Sequence, residues 1–218
     1  MDYLKFLEQL KNNNSKEWMD ENKVLFHQNR DAFWKDAEDI LGFVKTLEPR
    51  MVNLELKNCI FRQNRDIRFS ANKNPYKINF SAYYAIGGKK SILPGYYIHI
   101  EPNASFLAAG LWMPEKEVLR KVREEIDYSG DEFLNILNEP DFKKSFSELM
   151  DDQLKTAPKN YPKDHIYAQV LKYKSFIVQF PLKDSEIKNK SYIQTTKQKF
   201  QLAQNFVNYL KKAIEVEV

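Results

Sequence analysis

Near Leu54 the hydrophobic period of the chain changes, and that change restricts the fold more than any other feature. Before it, apolar residues recur at helical spacing. Leu4, Leu7 and Leu10 mark a short helix over 3–11, broken by the Asn12–Asn14 cluster. Asn14, with Glu17 three residues on, predicts a capping box that starts a long helix. Its inward face is Trp18, Leu25, Phe26, Phe33, Ala37, Ile40, Leu41, Val44 and Leu47, and Pro49 ends it. After Leu54 the apolar runs become short and rich in Tyr, Phe and Ile. CIF at 59–61, NFSAYYAI at 79–86, GYYIHI at 95–100 and SFLAAGLWM at 105–113 are separated by Gly87-Gly88, Pro94-Gly95 and Pro102-Asn103. The reading is three consecutive antiparallel strands, preceded by a loop.

Beyond Pro114 the helical period returns, with Val118, Leu119, Val122 and Ile126 inward, then a short helix over Asp131 to Leu137. Residues 141–165 are irregular, Ile166–Leu171 reads as a helical turn, and SFIVQF at 175–180 alternates as a strand. A terminal helix from about Thr195 turns Phe200, Ala203, Phe206, Val207 and Leu210 inward. The expected architecture is one α+β domain over 1–218, an antiparallel sheet of at least three to five strands flanked by N-terminal and C-terminal helices. Its parts are a helical stretch (1–48), a strand-rich stretch (55–113) and a mixed, helix-rich stretch (114–218).

Charge is distributed unevenly. The chain carries 34 Lys+Arg and 30 Asp+Glu. Within FRQNRDIRFSANKNPYK at 61–77, Arg62, Arg65, Arg68, Lys73 and Lys77 face Asp66 alone, so this segment holds the whole formal excess of +4. Arginine is scarce elsewhere: only Arg30, Arg50, Arg120 and Arg123 lie outside it. A planar guanidinium binds a carboxylate or phosphate through two parallel bonds, which lysine cannot do. Arg62, Arg65, Arg68, Ser70, Lys73, Tyr76 and Lys77 are therefore the expected shell of an anionic ligand. The competing reading is an Arg/Asp ion-pair network that only fixes a loop.

GYYIHIEP supplies a second constellation. Alternation places Tyr97, His99 and Glu101 on one face of a strand and Tyr96, Ile98 and Ile100 on the other. Tyr97 and His99 are expected to contact the rest of the ligand. If there is chemistry, His99 or Asp66 would act as general base, but whether the protein is an enzyme is left open. Arg120 and Arg123, one turn apart, are a solvated face or an extension of the basic surface.

Other chemistries find no motif. His27, His99 and His165 lie far apart, with no HExxH or paired CxxC, so no metal site and no cofactor is expected. Walker, dinucleotide and GxSxG patterns are missing. Cys59, the one cysteine, forms no intrachain disulfide and is expected to be a buried thiol. With no apolar run of roughly 20 residues and no signal-peptide order at MDYLKFLEQL, the expectation is a cytoplasmic protein without a membrane partner. Aromatics interleave with basic residues, as single-strand binders require, yet the modest net charge argues against nucleic acid.

CIFRQNRDIRFSANKNPYK, GYYIHIEP, GLWMP and LKTAPKNYPKDH, in that order, resemble the domain of unknown function 2461 family along nearly the whole chain. The family pattern has an acidic residue just before the lysine that precedes PYK. Here Asn72 precedes Lys73. The resemblance implies an intact single domain and brings no reaction, cofactor or catalytic residue.

Overall fold

The computed structural model describes residues 2–146 and 148–215. In chain order its elements are α1 (Tyr3–Asn12), α2 (Lys16–Glu21), α3 (Lys23–Leu47), β1 (Phe80–Tyr84), β2 (Gly95–Ile100), β3 (Phe106–Leu111), α4 (Lys116–Asn138), α5 (Pro140–Phe146), α6 (Ala168–Leu171), β4 (Phe176–Pro181), α7 (Asp184–Lys188), α8 (Tyr192–Leu202) and α9 (Gln204–Glu215). The strands form one antiparallel sheet in the order β1-β2-β3-β4. The fold is α+β, with a sheet flanked by helices.

Two compact units are formed. The first takes the chain up to Lys89, with Tyr97–Leu107 and Pro181–Gln198. The second takes Lys90–Tyr96, Ala108–Phe180 and the chain from Lys199 onward.

In the first unit the Asp2 side chain caps α1 by accepting from Lys5 N (3.1 Å). The long N-terminal helix starts elsewhere than expected. Ser15 is the cap, accepting from Trp18 N (3.1 Å), and Asn22 separates α2 from α3. Asn14 is released from capping and bonds instead to Tyr76. The core is an aromatic cluster. Phe80 stacks on Phe33 (5.4 Å between centroids) and on Phe6 (6.3 Å), with Tyr3 edge-on to Phe33 and Phe80. Rings of this kind contribute about 0.5–1.5 kcal/mol per pair beyond their burial. One face of β1 is thus covered by helices, and the Tyr84 hydroxyl donates to Ala37 O (3.1 Å).

In the second unit α4 is interrupted at Ser129, whose backbone is not helical (φ −130°, ψ 38°), so it consists of two helical stretches, as the sequence suggested. Pro140 opens α5 and does not merely end its predecessor, as its fixed φ suits a first helical position. Phe133 packs against Phe176, Phe206 and Tyr209. Arg120 is held by Glu117 and Glu124, and Arg123 donates to Leu171 O and Tyr173 O, so both arginines are engaged within this unit.

Candidate functional site

The basic segment is the first arm, the loop and the start of the return arm of a hairpin in the first unit. Ile60 bridges Ala82 and Asn64 bridges Tyr76, both antiparallel. Four steps on the first arm face six on the second, so the return arm bulges. Gln63, nearly fully buried, fills the bulge: its Nε2 donates to Lys77 O and to Asn79 O (3.3 Å). Asn14 braces the other side like a short strand, its amide taking both Tyr76 N (3.1 Å) and Tyr76 O (3.0 Å). Neither Gln63 nor Asn14 carries a sequence signal for these roles, because both act on backbone far away in the chain.

Within this frame the charged side chains take different partners. Arg68 grips Asp66 through Nε (3.0 Å) and Nη2 (2.7 Å) on the exposed loop, which holds the Asp66 carboxyl below its ordinary range. Arg65 donates to Asn74 O (3.0 Å) and Ser70 Oγ (3.2 Å). Lys73 reaches across the loop to Ile67 O (3.2 Å). Lys77 lies over the Phe61 ring (5.2 Å), its pKa lowered by burial first and by neighbouring Arg62 second. The Tyr76 phenol is pushed up by burial, then by Asp20 and Glu17. Arg62 is exposed and, among the described residues, is the one arginine with neither a carboxylate nor a carbonyl partner. Arg62, Arg65, Lys73 and Lys77 all lack an ion-pair partner among the described residues.

The strand face lies beside Phe61. Tyr97 meets Phe61 edge-on (6.1 Å), and its hydroxyl is 3.0 Å from His99 Nδ1. His99 Nε2 is 2.8 Å from Glu101 Oε2. A carboxylate only accepts, so Nε2 carries a proton. In the neutral ring Nδ1 then accepts from the Tyr97 hydroxyl. Phe106 stacks on the imidazole (4.8 Å, 17°), and Ser105 Oγ holds the Glu101 backbone by accepting from its N (3.0 Å) and donating to its O (2.8 Å). Burial raises the Tyr97 pKa and a hydrogen bond from Ser81 opposes the rise, so Tyr97 is a proton donor at neutral pH. His165 differs: its Nδ1 accepts from Tyr167 N (3.1 Å) and its Nε2 meets Asp127 (2.8 Å), so both nitrogens are spent on fixing a loop of the second unit.

The structure thus joins Lys77, Phe61, Tyr97, His99 and Glu101 in one contiguous run. Arg65, Arg68, Ser70 and Lys73 stay together in the loop, with Asp66 bound to Arg68 and making no hydrogen bond to the strand face. Glu101 was legible from alternation alone, whereas Phe61, Gln63, Ser81 and Phe106 join the site only through folding. Among the described residues no group of three or more His, Cys, Asp or Glu could hold a metal ion, and no helix is long and apolar enough to cross a membrane.

No curated protein and no solved structure matches the chain. A family model does match, over residues 2–209, so the chain belongs to the family described as Conserved hypothetical protein (DUF2461).

Proposed function

We propose that the protein binds a small phosphate- or carboxylate-bearing ligand at the basic hairpin, with Tyr97 and His99 contacting the remainder of the ligand. One observation carries the reading: Asp66 is spent on Arg68, and Arg62, Arg65, Lys73 and Lys77 are left without carboxylate partners among the described residues. Cations left without an ion-pair partner favour an anion, most strongly where one of them is half-buried, as Lys77 is. The same run supplies acid–base groups for a ligand that reacts, with Tyr97 as proton donor and His99 poised between it and Glu101. Cytoplasmic residence is part of the reading, supported by a free and buried Cys59.

A thermal-shift titration with inorganic phosphate and a panel of phosphorylated and carboxylated metabolites tests it. A ligand at a hundred times its Kd stabilises by about 2.7 kcal/mol. The shift should vanish in Arg62→Ala and Lys77→Ala, with the unliganded melting temperature nearly unchanged for exposed Arg62. No shift with any anion refutes the proposal. Arg65 favours the second reading, in which the motif only fixes the loop, since both its terminal nitrogens are used internally. Under that reading Arg65→Lys lowers stability and no anion binds.

A further inference from the structure

The loop of the hairpin carries one feature that anion binding does not use. Phe69 is 97 % exposed, more than any other large apolar side chain among the described residues. A singly exposed aromatic is ordinary on a protein surface. The surroundings of this one are not: the Arg68 guanidinium stands 5.9 Å from its ring centroid, and that guanidinium is fixed by two bonds to Asp66. The next residue, Ser70, has its hydroxyl bonded to Arg65, and Lys73 is tied across the same turn to Ile67 O. A flat apolar face, a fixed guanidinium beside it, a hydroxyl and two cations without carboxylate partners are therefore gathered in nine residues of chain, from Arg65 to Lys73.

Phosphate alone has no use for the ring, and a purely apolar ligand has no use for the charges. A ligand that joins the two is one with a phosphate and an aromatic base. Stacking on an aromatic side chain accepts any base, because every base has a π-face, and an arginine beside the ring adds a cation–π contribution. We propose that the anionic ligand is a nucleotide, its base stacked on Phe69 and its phosphate held by the hairpin cations that have no ion-pair partner among the described residues, Arg62, Lys73 and Lys77. This rests on the anion-binding reading above and adds the chemical class of the ligand. A free nucleotide and a nucleotide within a single strand share this chemistry.

Isothermal titration of the full chain with AMP, ribose 5-phosphate, inorganic phosphate and a short single-stranded oligonucleotide separates the outcomes. AMP should bind at least about tenfold more tightly than ribose 5-phosphate, the discrimination expected of one stacked base. Phe69→Ala should bring AMP down to the level of ribose 5-phosphate while phosphate binding and melting temperature stay unchanged, since the side chain packs against so little. Phe69→Trp should restore the preference. An oligonucleotide that outcompetes AMP and loses that advantage in Phe69→Ala supports the stacking and makes a strand the source. Equal binding of AMP and ribose 5-phosphate, or a preference that survives Phe69→Ala, overturns the nucleotide assignment and leaves anion binding intact. Failure of all four probes to bind overturns both.

Discussion

Asp36 holds together a polar cluster whose removal should be felt by the whole first unit. Its Oδ2 accepts from the Tyr3 hydroxyl (2.7 Å), the Tyr192 hydroxyl (2.8 Å) and Lys190 Nζ, and the two phenols are 2.5 Å apart. The cluster ties α1 and α3 to the start of α8, segments more than 150 residues apart in the chain. Asp36→Ala leaves the phenols one bond between them, so one buried hydroxyl loses its acceptor and two charge-assisted bonds disappear. Each such bond contributes about 1.5–3 kcal/mol, and the surviving phenol–phenol contact offsets part of the loss. The ion pair adds little. The Lys190 side chain is 36 % exposed and can turn to water, which limits its share to under about 1 kcal/mol. The expected cost is about 2–4 kcal/mol. For a chain of this size that corresponds to a melting temperature lower by roughly 5–15 °C. Asp36→Asn keeps an acceptor oxygen in place and should cost about half as much. Differential scanning calorimetry of both variants, with Lys190→Met for comparison, reads the difference. If Asp36→Ala melts within 1 °C of the parent, or if Lys190→Met costs as much as Asp36→Ala, the assignment of the energy to the phenol–carboxylate bonds is wrong.

Four further outcomes follow from burial and packing in the chain. Burial raises the Cys59 thiol from 9.0 to about 11 and pushes the Tyr3, Tyr84 and Tyr192 phenols well above 10.0. The folded state therefore holds these protons more tightly than the unfolded state. Their contribution to stability is complete below pH 9 and is lost as pH climbs through 9 to 11 and beyond, which urea midpoints across that range should follow. A midpoint that does not fall between pH 9 and 11 contradicts this. At pH 7.5 an aromatic disulfide reagent should label Cys59 only after unfolding. Gly110 has φ +119°, and a Cβ there would overlap the Phe176 carbonyl oxygen and meet the Phe206 ring at 2.8 Å. Gly110→Ala should thus cost more than about 3 kcal/mol, seen as insoluble protein or a large drop in melting temperature. Gln63→Ala strips the donor from Lys77 O and Asn79 O, which predicts faster amide exchange in 75–82 and a loss of about 1–2 kcal/mol; unchanged exchange there would show that the bulge holds without it.

Much of the fold was legible from local pattern. The strands at 80–84, 95–100, 106–111 and 176–181 and the buried residues Phe33, Ala37, Ile40, Leu41, Val44, Phe200, Phe206 and Leu210 follow from hydrophobic period, a property of neighbours in the chain. The helix start at Ser15 was misread as Asn14, because an asparagine that could cap locally found a stronger partner in the Tyr76 backbone, which sequence spacing cannot reveal. CIF at 59–61 has the composition of a strand, yet among the described residues it forms only a bridge at Ile60, since the bulge interrupts the ladder.

The site divides the same way. Composition alone located the chain's excess positive charge at 61–77, because residue identity fixes formal charge whatever the fold. Alternation alone put Tyr97, His99 and Glu101 on one face of a strand. Only the tertiary structure decided that Asp66 forms its ion pair with Arg68, that Lys77 lies over Phe61 and Phe61 meets Tyr97, and that His99 is linked to both Tyr97 and Glu101. A hydrogen bond or ion pair depends on separations of about 3 Å between atoms. Those separations are set by how the hairpin, the helices and the sheet pack, after the residues that make them have already been chosen.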